Sequence, residues 1–261
     1  MIILKSPAEI EKMALAAEIV VAAIAKVAEE IAPGVSTLRL DEVAEREILA
    51  HKARPTFKGY RNFPKSICTS INEEVVHGIP SANRILKEGD IVSLDVGAYI
   101  DGFCGDGAVT LPVGRISPLA ERLIRCTRAA LKAGISQATT EGRLYDISAA
   151  IEKEAKACGF SAVREYVGHG IGAAMHEEPQ VPNYEMKERG RRLRSGMVLA
   201  LEPMINCGGW QTRILSDGWT VVTADGSLSA HFEHTVAITE SGSRVLTQGL
   251  ERIADKFLGE G

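Results

Sequence analysis

The chain has 261 residues, 45% hydrophobic and 25% charged, with a net charge of −4 at neutral pH. That is the composition of an ordinary globular protein with apolar side chains enough for a sizeable core, and the acidic balance excludes a whole-surface nucleic-acid binder, which carries a strong basic excess. Cys68, Cys104, Cys126, Cys158 and Cys207 are odd in number and contain no C-x-x-C pair, which argues against a disulfide framework or a zinc knuckle and for free thiols in a reducing cytoplasm.

No apolar run reaches about 18 residues and no signal pattern opens the chain, so it reads as a full-length cytoplasmic protein without a membrane span. Ser6-Pro7-Ala8-Glu9 is a capping box with proline in the first turn. The Ala/Ile/Val-rich run behind it predicts a long helix that Pro33-Gly34 stops. A second helix is expected from Ser36-Thr37 through Leu38, Leu40, Val43 and Ile48, ended by Pro55. After a Gly/Pro/aromatic stretch from Phe57 to Pro64, the segments Ser66 to Ile71 and Val75 to Pro80 read as strand and loop.

Next, Ile91, Val92 and Leu94 lead into Asp95, Asp101-Gly102 supplies a turn, and Gly105-Asp106-Gly107 opens Ala108 to Leu111. This is the pattern of a β-hairpin. Strand parity puts Asp95 and Asp106 on one face, opposite each other or one diagonal step apart. Buried among apolar flanks, two carboxylates need a shared proton, an Arg or Lys, or a cation.

From residue 117 the same order returns. Ser117-Pro118 opens a helix that ends near Gly134, Arg143-Leu144-Tyr145-Asp146-Ile147 echoes Arg39-Leu40-Asp41-Glu42-Val43, and His169-Gly170-Ile171 echoes His77-Gly78-Ile79. Asp95 is answered by Glu202, and Asp106 by Glu233 in Phe232-Glu233-His234-Thr235. Two αα-ββ halves, about residues 1–112 and 113–250, are therefore expected within one domain spanning residues 1–261. Packed about a pseudo-dyad, the halves would bring Asp95 toward Glu202 and Asp106 toward Glu233. Four buried acids with one imidazole, His169, form an oxygen-rich set suited to Mn²⁺, Fe²⁺, Co²⁺ or Zn²⁺, and two carboxylates able to bridge point to two ions roughly 3.5–4 Å apart.

These residues resemble the metal set of the type I methionine aminopeptidases, metalloenzymes of the pita-bread fold that remove the initiator methionine. The resemblance extends through Pro64-Lys65-Ser66, Ser70-Ile71-Asn72-Glu73, His77-Gly78-Ile79-Pro80, Gly168-His169-Gly170-Ile171-Gly172, His176-Glu177-Glu178-Pro179, Leu201-Glu202-Pro203 and Asp217-Gly218-Trp219-Thr220. It implies an α+β fold with a curved antiparallel sheet and helices on its outer face. It implies two divalent ions, with Asp95 on one, His169 and Glu202 on the other, and Asp106 and Glu233 bridging. His77 and His176 would contact substrate, Glu202 would also move the proton, and Tyr60, Phe63, Cys68 and Trp219 would receive the methionine side chain. Both histidines also lie in Gly/Pro-punctuated segments, which by itself suggests loops over a site rather than core positions.

Two departures stand out. Phe57 occupies a position where bacterial relatives often carry Cys, and Ala173-Ala174-Met175 one where they often carry an Arg-x-Phe triplet. Both bear on the pocket: the first would narrow it, and the second replaces a rigid aromatic wall with an adaptable thioether. The substrates implied are nascent polypeptide N-termini with a small second residue. A basic run of Lys187, Arg189, Arg191, Arg192 and Arg194 is compatible with a transient ribosome contact; no DNA or membrane partner is expected, and the chain is expected to be a monomer. The alternatives are a pita-bread peptidase of proline or broader specificity and a binding protein that keeps the fold, the latter disfavoured because no ligand of the set is missing.

Overall fold

Helix α1 (Pro7–Glu29) begins where its capping box dictates: in a computed structural model that describes residues 1–259, Ser6 N donates to the Glu9 carboxylate at 2.7 Å while Glu9 N donates to Ser6 Oγ at 3.4 Å. Helix α2 (Thr37–Ala50), capped by Ser36, stops short of Pro55 because Lys52 turns the backbone to φ 60°. Pro55 instead belongs to a two-residue strand, β1 (Arg54–Pro55), followed by a single 3₁₀ turn at Tyr60–Asn62. The first half is completed by β2 (Ile67–Ile71), β3 (Glu74–Val76) and the hairpin β4 (Ile91–Ile100) with β5 (Phe103–Pro112).

The second half repeats the two helices, α3 (Pro118–Ser136) and α4 (Leu144–Ala157). Short strands follow: β6 (Ser161–Ala162), β7 (Gly168–Gly170), β8 (Glu177–Val181), β9 (Val198–Leu201), β10 (Met204–Asn206), β11 (Thr212–Ile214), β12 (Val221–Thr223) and β13 (Ser229–His231). The described chain closes with β14 (Glu233–Thr239), β15 (Gly242–Val245) and α5 (Gly249–Leu258). Helix α3 runs past Gly134, whose missing side chain makes room for Ile147 and Ile151 of α4.

Nine strands form one antiparallel sheet in the order β1-β4-β5-β14-β9-β7-β8, with β2 on β4 and β15 on β14. The pairing of β5 with β14 joins the hairpin of the first half to the strands of the second. Within the hairpin Asp95 pairs with Ala108 and Asp106 with Gly97, so the two carboxylates lie one diagonal step apart on the same face.

The other face carries the helices. Val20, Ala23, Ile24 and Val27 of α1 and Leu123, Ile124 and Leu131 of α3 are buried in one cluster with Val92, Leu94, Val109, Leu111, Leu199 and Leu201 of the sheet. Each such Ile or Leu contributes about 1.5–3 kcal/mol on burial, enough for the helical layer to hold the sheet while its opposite face carries polar groups. This is the α+β architecture expected from the repeat. Among the described residues no helix is long and apolar enough to cross a membrane.

Gly105 fixes how closely α1 approaches the strand that carries Asp106, since a Cβ there would lie 2.6 Å from Ala17 N and 2.7 Å from the Ala16 carbonyl carbon. Both obstacles are helix backbone and cannot step aside. Gly105→Ala is therefore expected to cost about 1–3 kcal/mol, read as a lowered urea midpoint at unchanged slope; an unchanged midpoint would show that α1 is not packed this tightly.

Candidate active site

Across five neighbouring strands, each contributes one polar group to the concave face. Asp95 comes from β4, Asp106 from β5, Glu233 from the first position of β14, Glu202 from the residue after β9, and His169 from the middle of β7. Asp106 and Glu233 sit on adjacent central strands in direct side-chain contact, with Asp95 and Glu202 flanking them. Asp106 is fixed through its backbone, whose N–H donates to Thr235 Oγ1 at 3.1 Å while that hydroxyl donates to the Asp106 carbonyl at 2.7 Å. His169 Nδ1 donates to the Gly170 carbonyl at 2.8 Å. That bond leaves the Nε2 lone pair facing Glu202 Oε1 at 3.5 Å and Asp106 Oδ2 at 3.8 Å.

These carboxylates are held at a cost. Burial pushes Asp95 up to about 7. Burial, then Glu233 and Asp95, drive Asp106 well above the usual carboxylate range; burial and the neighbouring acids do the same to Glu202 and Glu233. Among the described residues no lysine or arginine pairs with any of the four, whose basic neighbours are His169 and His231. Neither can compensate, because burial depresses His169 to about 4 and His231 to about 3. Asp95 Oδ1 and Glu233 Oε1 are buried without a hydrogen-bond partner.

Of the three ways to neutralise such a set, the basic side chain is absent, leaving protons or a cation. One donor atom from each of Asp106, His169 and Glu233 lies within 4.8 Å of the others, a spacing that lets all three converge on one ion. The chemistry of the full set, four carboxylates and one oriented imidazole, fits hard-to-borderline divalent metals rather than thiophilic ones.

The cluster forms the floor of a cavity of about 490 Å³ lined by every site residue named from the sequence, including Tyr60, Phe63, Cys68, His77, His176 and Trp219. Phe63 meets Trp219 edge-on at 5.1 Å, and Trp219 is held by a turn in which Asp217 accepts from Trp219 N and Thr220 N, both at 2.9 Å. His176 stacks over His169 at 4.3 Å and against Tyr60 at 5.2 Å. His77 stands opposite, edge-on to Tyr166 and Trp219, on a left-handed backbone with φ 62°. A β-branched or bulky residue rarely adopts that conformation, and His tolerates it better than most; Arg84 braces the turn by bonding the Thr69 and Ile79 carbonyls and pairing with Glu74. Burial lowers both histidines, His77 to about 4, so each is neutral at pH 7. Phe57 and Met175 also line the cavity and close over Gly97, where a Cβ would lie 3.1 Å from each.

Sequence reasoning did not find His231. Its buried Nε2 has no hydrogen-bond partner and lies 3.9 Å from Glu202 Oε2, so the Glu202 carboxylate stands between two imidazoles. The available signal was parity with Glu233, two residues on. Tyr166 and Met204, which complete the wall, offered none beyond ordinary core composition.

Residues 11–240 match the model of metallopeptidase family M24. The chain is 50% identical to a methionine aminopeptidase of Clostridium acetobutylicum over 95% of its own length and 99% of that protein, and 50% identical to methionine aminopeptidase 1 of Bacillus subtilis over 95% and 100%. The chain belongs to metallopeptidase family M24. Its structure superposes on the crystal structure of a methionine aminopeptidase from Thermotoga maritima with a TM-score of 0.93 at 44% identity, covering 95% of this chain and 99% of that one. The α+β architecture is the pita-bread fold, and M24 membership makes the protein a metal-dependent hydrolase, so divalent metal is the cation its unpaired carboxylates require.

A metal must displace whatever protons these ligands hold. Asp95 keeps its proton up to about 7, whereas His169 has lost its own above about 4. With Asp106, Glu202 and Glu233 also raised, Mn²⁺ affinity should therefore rise with pH as these carboxylates lose their protons. Titration calorimetry at pH 5.5 and pH 8 is expected to give a Kd weaker at the lower pH by about tenfold or more, with protons released on binding there; equal affinities at the two pH values would contradict the burial-raised carboxylates.

Proposed function

We propose that this chain removes the initiator methionine from newly made polypeptides whose second residue is small, using two divalent ions of the Mn²⁺, Fe²⁺, Co²⁺ or Zn²⁺ class. The observation that carries the proposal is a buried cluster of four carboxylates and one imidazole opening onto an apolar cavity. The half-identical methionine aminopeptidases support the same reading.

In this reading Asp95, Asp106, His169, Glu202 and Glu233 would hold the ions, with Asp106 and Glu233 shared between them. When bound, the ions supply Lewis-acid polarisation of the scissile carbonyl and an acidified water. The remaining steps belong to side chains. Glu202, whose proton affinity burial and its acidic neighbours raise, takes a proton from the attacking water and returns it to the leaving amine. His176, neutral at pH 7, donates to the carbonyl oxygen as negative charge develops there, and His77 does the same on the peptide-nitrogen side. Tyr60, Phe63, Cys68 and Trp219 exclude water from the pocket that takes the thioether.

The polypeptide N-terminus is the partner at this site, approached as it leaves the ribosome. We assign the transient ribosome contact to the basic segment Lys187 to Arg194, within which Arg189 is committed to Asp146 at 2.5 Å. The catalytic unit is a single-domain monomer in which both halves contribute ligands.

Crowding by the metal ligands beneath His77 limits the second residue, and a methylene of misfit in the first pocket costs about 1–3 kcal/mol. Free methionine should be released from Met-Ala-Ser, with Leu-Ala-Ser and Met-Ile-Ile cleaved at least about tenfold more slowly. The chain's own Met1-Ile2 terminus should remain intact by mass measurement of the untagged protein, because Ile is β-branched and stiff. Comparable rates on all three peptides would replace this reading with a broad aminopeptidase.

A further inference from the structure

Lys5 is almost completely buried, and its partner lies on the far side of the sequence. Its Nζ donates to Glu177 Oε2 at 2.6 Å with the two side chains only 4% and 8% exposed, and also donates to the Ile3 carbonyl at 3.0 Å. The backbone on either side is equally committed. Lys5 N donates to the Gly196 carbonyl at 2.7 Å, and Gly196 N in turn donates to the Ile238 carbonyl of β14 at 2.9 Å, so this lysine is moored to the central sheet. Glu177 follows His176 directly, and its second oxygen accepts from Ala174 N at 3.2 Å. Gly172 closes over the pair: a Cβ there would lie 2.4 Å from Lys5 Cε and 2.5 Å from Glu177 Oε1. The segment 172–177 is thus pinned at Gly172, whose carbonyl accepts from Cys104 N at 2.8 Å, and at Glu177, with His176 carried between Tyr60 and His169.

A buried ion pair is seldom the cheapest way to fill such a space, because apolar residues of similar volume do so without the desolvation penalty, so its worth lies in the one geometry it permits. Ile171, which precedes this segment, and Met175 within it belong with Ile10, Met13 and Val198 to one buried apolar cluster. Any slip of the 172–177 segment would bury an unpaired charge. We propose that Lys5 is a positioning residue for His176, holding Glu177 so that the imidazole stays over the metal-ligand cluster at the height of the scissile carbonyl. The inference rests on the role given to His176 above. It gives the first five residues a task in catalysis, although none of them lines the catalytic cavity.

The test is a double-mutant cycle on the metal-loaded enzyme with Met-Ala-Ser as substrate, using Lys5→Met, His176→Ala and both together. His176→Ala is expected to lower kcat/KM by at least about tenfold. Lys5→Met is expected to lower kcat by about tenfold with KM little changed in the wild-type background, and by less than about twofold once His176 is gone. Mn²⁺ affinity of the Lys5→Met protein, read by calorimetry, should match the wild type, because the Lys5 side chain bonds Glu177 and the Ile3 carbonyl and none of the metal-ligand side chains. If the lone Glu177 charge prevents folding, Lys5→Met/Glu177→Gln removes both charges, and the same loss through His176 is expected. An equal loss in both backgrounds, a loss that tracks weakened metal affinity, or full activity of Lys5→Met would each overturn the positioning role. Unchanged activity of His176→Ala would instead bring down the reading of His176 itself, and that single variant reports it alone.

Discussion

Burial of four mutually repelling carboxylates on one face of the sheet is the constraint on which the rest of this structure depends. Asp95, Asp106, Glu202 and Glu233 each hold their protons more tightly than an exposed acid would, and among the described residues none has a lysine or arginine to offset it. Left alone, the arrangement would push the central strands apart or keep its acids protonated. The family to which the chain belongs identifies the missing partner as metal. His169 adds to the four carboxylates one imidazole, oriented by its bond to the Gly170 carbonyl.

Keeping such a cluster together requires a scaffold that cannot relax. The helical layer provides it, because the apolar faces of α1 and α3 clamp the sheet from behind and Gly105 lets α1 lie directly on the strand bearing Asp106. The two faces of β4 and β5 then have opposite chemistry at single-residue spacing, with Leu94 and Val109 toward the helices and Asp95 and Asp106 toward the cavity. The acids that must come closest, Asp106 and Glu233, lie on the two strands through which the halves of the molecule join. Pairing between the halves is what brings Asp106 beside Glu233. Above the cluster, His77 and His176 are neutral imidazoles on segments tied down from outside the cavity, that of His77 by Arg84 and that of His176 by the ion pair of Glu177 with Lys5.

Much of this was legible in the sequence, and the legible part is the local part. Capping boxes, the Asp101-Gly102 turn and strand parity act over a few residues, so the start of α1, the hairpin and the shared face of Asp95 and Asp106 followed from them. The internal echo carried the reading further by pairing Asp106 with Glu233 and Asp95 with Glu202, and motif resemblance supplied the roles. What escaped was decided by distant contacts. Gly134 looked like a helix end but serves the packing of α3 against α4, and Pro55 looked like a helix stop but sits on a sheet edge beyond one. His231 offered only its parity with Glu233 and Lys5 no local signal at all, because their importance comes from Glu202 in one case and from a residue 172 positions away in the other.

The buried carboxylates are expected to work only with divalent metal bound, with hydrolysis at that site. This is tested most directly by stripping the purified protein with a chelator, verifying by elemental analysis that it is metal-free and by circular dichroism that it is folded, and following methionine release before and after Mn²⁺ is returned. Release from Met-Ala-Ser is expected to fall to background in the folded, metal-free protein and to return with added Mn²⁺. Undiminished hydrolysis by verified metal-free protein would contradict it.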